Sequence, residues 1–158
     1  YEVWVEDDLA YIAAGELRIV DVSQPQAPVL RGRHDAGGNA VAVHVSGDHA
    51  YVAALSELLI IDVSDPATPW LRNSIPCECR KVFVAQGRVY AGSKAVHVFD
   101  VLNPYRPWLR ASHEIAGTVS DIVVVDDQVY IAAWESGLWI FFYDEAITGV
   151  RRDWRGFP

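Results

Sequence analysis

One short design occurs three times in this chain, and the repetition constrains the fold more than any other feature of the sequence. The clearest copy reads Leu-Leu-Ile-Ile-Asp-Val-Ser-Asp-Pro-Ala-Thr-Pro-Trp-Leu-Arg over residues 58–72, and similar copies cover residues 17–31 and 96–110. In each copy an apolar run ends in Asp, a turn with two prolines follows, and a second short run ends in Arg. Self-similarity of this kind is typical of repeat proteins, so we expect one structural unit per copy.

Four tyrosines give the length of the repeat. Tyr11, Tyr51, Tyr90 and Tyr130 follow one another at separations of 40, 39 and 40 residues. Two β-branched residues with one residue between them precede each Tyr, and this period-2 alternation predicts a strand. Each repeat is therefore predicted to form four strands: the β-branched pair, the Tyr strand, the run that ends in Asp, and the run after the prolines. Residues 150–152 are expected to supply the last strand of the fourth repeat.

Four strands in each repeat of about 40 residues predict an all-β fold, a β-propeller of four four-stranded blades. One small sheet cannot bury both of its faces, so the blades are expected to stack around an axis and cover each other. We expect a single domain over residues 1–158, with the innermost strand first in each blade. The approximate blades are residues 1–35, 36–76, 77–116 and 117–158.

Closure of the ring has two possible forms. The preferred form is a four-bladed ring in which residues 138–143 pack against Tyr1, Val3, Trp4 and Val5. The alternative is an open half that pairs with a second copy to make eight blades, since propellers typically have about 4–8.

Two of the repeated segments resemble those of a known family. Leu-Arg-Ile-Val-Asp-Val-Ser at 17–23 and Leu-Leu-Ile-Ile-Asp-Val-Ser-Asp-Pro at 58–66 are similar to LVIVD repeats. These form propellers, mainly in bacterial and archaeal proteins that are often exported or displayed at the cell surface. The resemblance covers nearly the whole chain but loosens at Leu102-Asn103, and Phe142 stands where the fourth repeat should have Asp. The family has no common activity, so the resemblance implies a fold and leaves the function open.

Composition excludes some classes of function. The net charge of -8 disfavours nucleic acid as a partner, because phosphate binding needs a basic surface. No apolar run reaches the roughly 20 residues that a transmembrane helix needs. The chain opens on Tyr and contains no Met, which we interpret as a mature, trimmed or excised product.

The most regular charged feature is an Asp–Arg pair ten residues apart. Its members are Asp21 and Arg31, Asp62 and Arg72, and Asp100 and Arg110. We interpret these pairs as structural, with Asp capping the proline turn and Arg lying on an outer edge strand, since a catalytic pair rarely occurs in every repeat. The competing interpretation is a ring of arginines for anionic ligands.

Candidate sites are few. The connections between blades are expected to surround the axial mouth and to present Asp35, Asn39, Glu78, Arg80, Glu114 and Thr118 to a ligand. Cys77 and Cys79 are interpreted as free cysteines in a loop at a blade junction. They are candidates for a metal site, but without enough ligands for zinc, so no metal and no cofactor is expected. No catalytic set is predicted.

Aromatic residues concentrate toward the end of the chain, and one face of the strand over residues 138–143 is expected to belong to the core. The other interpretation is an exposed partner surface, with Trp134, Trp139, Tyr143 and Trp154 as candidates. The preferred function is a non-enzymatic interaction or structural module, extracellular or at the cell surface, with a protein partner or self-association. The alternative is a ligand- or ion-binding propeller, or an enzyme, that uses the axial mouth.

Overall fold

The fold is all-β. A computed structural model describes residues 1–142 and the backbone of Arg151–Arg152. In these residues sixteen strands form four antiparallel sheets of four strands each. The first sheet comprises β1 (Glu2–Glu6), β2 (Leu9–Ala14), β3 (Glu16–Asp21) and β4 (Val29–His34). The second comprises β5 (Ala42–Ser46), β6 (His49–Ala53), β7 (Leu55–Asp62) and β8 (Trp70–Cys79). The third comprises β9 (Lys81–Ala85), β10 (Arg88–Gly92), β11 (Ala95–Asp100) and β12 (Trp108–Glu114). The fourth comprises β13 (Val119–Val125), β14 (Gln128–Ala133), β15 (Gly137–Phe142) and β16 (Arg151–Arg152).

Consecutive strands pair in every sheet, which confirms the predicted all-β class and the four strands in each repeat. Tight turns connect the first two strands of each sheet. Asp7, Gly47 and Asp126 have positive φ there, and so do both Gln86 and Gly87. Positive φ suits the turns of two-residue hairpins, because their twist matches that of the flanking strands.

Each sheet has two sides, which we name by their residues. The Val side carries the β-branched pair of the first strand, and the Tyr side carries the tyrosine of the second strand. In the second sheet Val43 and Val45 lie on the Val side, whereas Tyr51 lies on the Tyr side. The alternation follows from strand geometry, because successive side chains point to opposite faces.

The core consists of three apolar layers between neighbouring sheets. The first layer joins the Tyr side of the first sheet, including Tyr11 and Leu17, to the Val side of the second sheet. The second and third layers repeat this arrangement between the second and third sheets and between the third and fourth sheets. The first strands of neighbouring sheets, β1, β5, β9 and β13, contact one another, as expected for innermost strands.

The predicted seam between the first and last sheets is not formed among the described residues. Trp4 packs on the second sheet, where its ring stacks on His44 with centroids 3.8 Å apart. Val3 and Val5 remain exposed. As far as the described residues go, the stack of sheets is therefore open at both ends. Tyr143, the last residue of the expected seam, lies outside the described residues.

Candidate functional site

The repeated Asp–Arg pairs lie where the third strand turns into the fourth. Arg31 Nη2 lies 2.6 Å from Asp21 Oδ2, and Arg72 Nη2 lies 2.7 Å from Asp62 Oδ2. In the third sheet the Nε of Arg110 lies 3.8 Å from Asp100 Oδ2, a looser contact.

Each Asp also holds the backbone of the proline turn. The amides of Ser23 and Ser64 donate to Asp21 and Asp62 at 2.9 and 3.0 Å, and the amide of Leu102 donates to Asp100 at 3.1 Å. Hydrogen bonds from Ser64 and Arg72 lower the pKa of Asp62 to about 2. Both carboxylate oxygens of Asp62 have protein donors, so the arrangement is that of a turn support.

Arg72 is held on its other faces by aromatic rings. Its guanidinium carbon lies 3.3 Å from the ring centroid of Trp70 and 4.7 Å from that of Tyr105 in the third sheet. Cation–π contacts of this kind fix the guanidinium and shield it from solvent. Arg72 is therefore engaged within the protein, by Asp62 on one side and by the two rings on the others.

The predicted mouth residues do not all converge. Glu78, Arg80 and Thr118 line one open cleft between the third and fourth sheets, with a volume of about 610 Å³. Asp35 and Asn39 lie in the connection between the first and second sheets, and Glu114 ends β12; none of these three lines that cleft. Asp35 instead accepts the amide of Gly37 at 2.8 Å, so it closes its own turn.

The predicted mouth missed six of the nine residues that line this cleft. They are Lys81, Ser93, Lys94, Val119, Ser120 and Trp134. Ser93, Lys94 and Trp134 belong to turns between the second and third strands of a sheet, whereas the mouth was predicted at the connections between blades. The repeat pattern could have found them. Counted from the tyrosine of each repeat, Gly15 of the first repeat corresponds to Lys94 and Trp134, so all three lie at the same turn.

Hydrogen bonds fix the walls of the cleft. Ser93 Oγ donates to Glu78 Oε1 at 3.1 Å, and the amide of Thr118 donates to Glu135 Oε2 at 2.8 Å. Lys81 Nζ lies 2.9 Å from Glu2 Oε1 of the first sheet. No ion pair with another described residue involves Arg80 or Lys94, so the cleft keeps two cations available to an anion.

Cys77 and Cys79 correct a prediction. They lie within β8 rather than in a loop, and both thiols are free and buried. Residues two apart in a strand share a face, and the two side chains belong to the same apolar layer. The hydrogen bond with Cys77 and burial raise the pKa of the Cys79 thiol, which keeps it protonated and unreactive. Among the described residues no three His, Cys, Asp or Glu side chains converge on one point.

The predicted aromatic surface is only partly in place. Trp134 is 80% exposed at the rim of the cleft. Trp139 packs inward on the third sheet, and its indole nitrogen donates to Ser136 Oγ at 2.7 Å. Trp139 is therefore not part of a partner surface, which corrects the prediction. Tyr143 and Trp154 lie outside the described residues.

The two ends of the stack are apolar sheet faces. We call the Val side of the first sheet the leading face; it carries Val3, Val5, Ile12 and Val20. The Tyr side of the fourth sheet is the trailing face, and it carries Val123, Tyr130, Leu138 and Ile140. The chain was predicted to cover these faces with each other, but within residues 1–142 no sheet packs on either face.

None of the residues that the structure describes forms a helix of the length and hydrophobicity that crossing a bilayer takes.

A family model described as the LVIVD repeat matches residues 1–36, 37–75 and 116–141, which together exceed half of the chain. No curated protein matches the chain in sequence.

Solved structures share the fold at low sequence identity. The computationally designed Ika4 protein matches with a TM-score of 0.71 and 12% identity, over 90% of this chain and 89% of that chain. A functionally unknown protein from Desulfotomaculum acetoxidans DSM 771 matches with a TM-score of 0.72 and 17% identity, over 85% of this chain and 51% of that chain. BamB from Moraxella catarrhalis matches with a TM-score of 0.68 and 18% identity, over 89% of this chain and 45% of that chain. The chain thus spans about half the length of the last two.

Proposed function

Because the chain belongs to the LVIVD-repeat family and its four sheets form an open stack, we propose that it is a non-enzymatic interaction module that associates through its two end faces. We place it outside the cell or at the cell surface, the location that the resemblance of its repeats implies. Protease treatment of intact source cells tests that location: the protein should be cleaved without lysis, and protection would contradict it.

One observation carries the proposal. Val3 and Val5 of the leading face are each 58% exposed, whereas their counterparts Val43 and Val45 in the second sheet are 1% and 3% exposed. The same positions of the repeat are thus buried inside the stack and open at its end. Contiguous apolar surface of this kind marks interaction sites, because burying it is favourable.

The mass of the protein in solution tests the association. Light scattering over a range of concentrations should give masses above the 17.5 kDa of one chain. Val3→Glu places a charge on the leading face and should return the mass to that of one chain. Leu109→Glu changes an equally exposed apolar residue of an internal sheet and should behave as the wild type. A wild type that stays at the mass of one chain at every concentration would contradict the proposal.

A second candidate function is the binding of an anionic ligand at the mouth. Arg80 and Lys94 have no ion-pair partner among the described residues, and both line the same cleft as Trp134. Arginine and lysine side chains whose N–H groups are unpaired bind carboxylate and phosphate groups. A hydrogen bond between two charged groups is stronger than one between neutral groups.

Calorimetric titration with inorganic phosphate separates this candidate from the first. The wild type should bind it, and Arg80→Ser with Lys94→Ser should abolish the heat signal. Arg18→Ser removes a cation elsewhere on the surface and should leave binding unchanged. Equal heats for all three proteins would show that the cleft is not an anion site.

A further inference from the structure

We infer that both end faces are covered by a second copy of this chain, joined head to tail, so that two chains close one ring of eight sheets. This inference rests on the proposed association and names its partner. Four sheets come from each chain, and eight lies within the range of about 4–8 that is typical of propellers.

Every junction inside the chain obeys one rule. The Tyr side of a sheet packs on the Val side of the sheet that follows it. In the first junction Tyr11 and Ile19 meet Val43 and Val45, and in the second Tyr51 and Ile60 meet Val82 and Val84. The sequence differs between junctions, but the order of the two sides does not.

The two end faces are the two halves of one more such junction. In the part of the chain that the structure describes, no sheet lies before the leading face and none lies after the trailing face. Position by position, the trailing face repeats the side that meets a following sheet elsewhere: Tyr130 corresponds to Tyr11, Leu138 to Leu17 and Ile140 to Ile19. The trailing face of one copy therefore offers the leading face of another the kind of surface that Val43 and Val45 meet inside the chain.

A second copy closes the ring by symmetry. Joining unlike faces is a heterologous contact, and such contacts form rings when the rotation closes. With two copies a half-turn about the common axis makes both junctions at once and leaves no end uncovered. Pairing like faces would cover the leading faces only and would leave both trailing faces exposed.

Two of the similar structures have about the length of two copies of this chain, whereas the Ika4 protein has about the length of one. Among the described residues the first and last sheets of one chain do not pack together. Two of the similar solved structures are about twice as long as the part that this chain matches. A second copy would bring the assembly to about the length of those two chains.

The leading face carries three charged side chains, because Arg33 pairs with Arg18 across the sheet and Glu16 lies two residues before Arg18 in the same strand. Arg18 lies on this face, and its Nε is 2.7 Å from Glu16 Oε1, so its charge is paired within its own sheet. The corresponding position of the third sheet is His97, which is half-buried within the second junction. A polar side chain at this position is thus compatible with sheet packing.

Cysteine cross-linking in the full chain tests the arrangement. Val3→Cys and Val123→Cys are made in separate chains, both at exposed positions, and co-expressed with different tags. A short bismaleimide should then join the two variants into a product of twice the chain mass on a denaturing gel. Either variant alone should give no product. The wild type is the reagent control, since its two cysteines are buried.

The possible results separate this inference from the proposed association. Cross-linking of Val3→Cys alone, or no product in the mixture although light scattering shows a dimer, would overturn the head-to-tail ring and leave the association standing. Masses above two chains would indicate an open head-to-tail polymer and would overturn the two-copy closure. A chain carrying both cysteines that links only within itself would show a four-sheet ring, and both proposals would fail.

Discussion

At the scale of single residues, the repeated Asp is the clearest case of a side chain that the fold requires. Asp62 accepts hydrogen bonds from the amide and the hydroxyl of Ser64 and from the guanidinium of Arg72. It is nearly buried, so its charge is supported by these donors rather than by water. Removing the Asp62 carboxylate leaves the donors that it accepted from unsatisfied. The free-energy cost of an unsatisfied buried donor exceeds the net contribution of the hydrogen bond itself.

We therefore expect Asp62→Ala to lower the free energy of unfolding by about 1–3 kcal/mol. Asp21→Ala is the matched control, because Asp21 has the same partners in a more exposed setting and should cost less. Urea denaturation followed by circular dichroism measures both. Equal stability of Asp62→Ala and the wild type would show that the pair does not support the turn.

His44 predicts how stability depends on pH. It is buried between Trp4 and Phe83, and burial lowers its pKa from 6.5 to about 4. The folded state thus resists protonation, and its stability is intact above about pH 6.5 and declines as the pH falls from there toward 4. The decline from one such group is at most about 1.4 kcal/mol per pH unit.

We expect His44→Phe to make the melting temperature less dependent on pH between 6.5 and 4.5. Phe retains a ring that can stack on Trp4 but cannot be protonated. Some decline should remain, because burial also lowers the pKa of His97. Scanning calorimetry of both proteins at several pH values measures the difference. Parallel curves for the variant and the wild type would contradict this role of His44.

At the scale of strands and turns, the proline turns of the second and third sheets each pack on the outer strand of the sheet before them. A Cβ built on Gly32 in β4 would lie 2.2 Å from the carbonyl oxygen of Pro66 in the next turn. One sheet further on, Asn73 Nδ2 of β8 donates to the carbonyl of Tyr105 in the third turn, at 3.5 Å. Only a residue without a side chain fits at the first of these contacts.

Gly32→Ala should therefore push the first two sheets apart at their outer edge and cost about 1–3 kcal/mol, as overpacking does. Gly47→Asn is a suitable control, since nothing lies within 4 Å of its Cβ position and Asn tolerates positive φ. Thermal melts should show a lower midpoint for the first variant and little change for the second. If the melting midpoint shifted by the same amount in both variants, the close approach of Gly32 to Pro66 would carry no cost of its own.

The sequence predicted these elements well because each carries a local signal. Alternating valines, paired prolines and turn residues specify strands and hairpins without reference to distant parts of the chain. The cysteines were misplaced because β8 extends through Cys79, past the expected blade boundary at residue 76. The cleft was found in part, since Glu78, Arg80 and Thr118 lie in or beside the connections, whereas Lys94 and Trp134 reach it from a different set of turns.

At the scale of the whole molecule, closure could not be predicted from the repeat pattern. A leading face that meets the trailing face of its own chain needs the same residues as one that meets a second copy. Whether the ring closes within one chain or with a second copy depends on how far each sheet is rotated about the axis from the sheet before it. That rotation depends on the packing of all three layers. Trp4, His44 and Phe83 illustrate this, because different side chains fill the same position of the inner strands in successive sheets.

Association through the end faces predicts that the thermal stability of the protein depends on its concentration. Partner binding stabilises a fold by mass action, so the melting temperature of the wild type should rise with protein concentration. Val123→Glu places a charge on the trailing face, at a position that is 42% exposed in the single chain, and should therefore leave each chain folded. Its melting temperature should be constant over the same range, and at high concentration it should lie below that of the wild type. A wild-type melting temperature that does not change across a hundredfold range of concentration would show that the end faces are not covered by another chain.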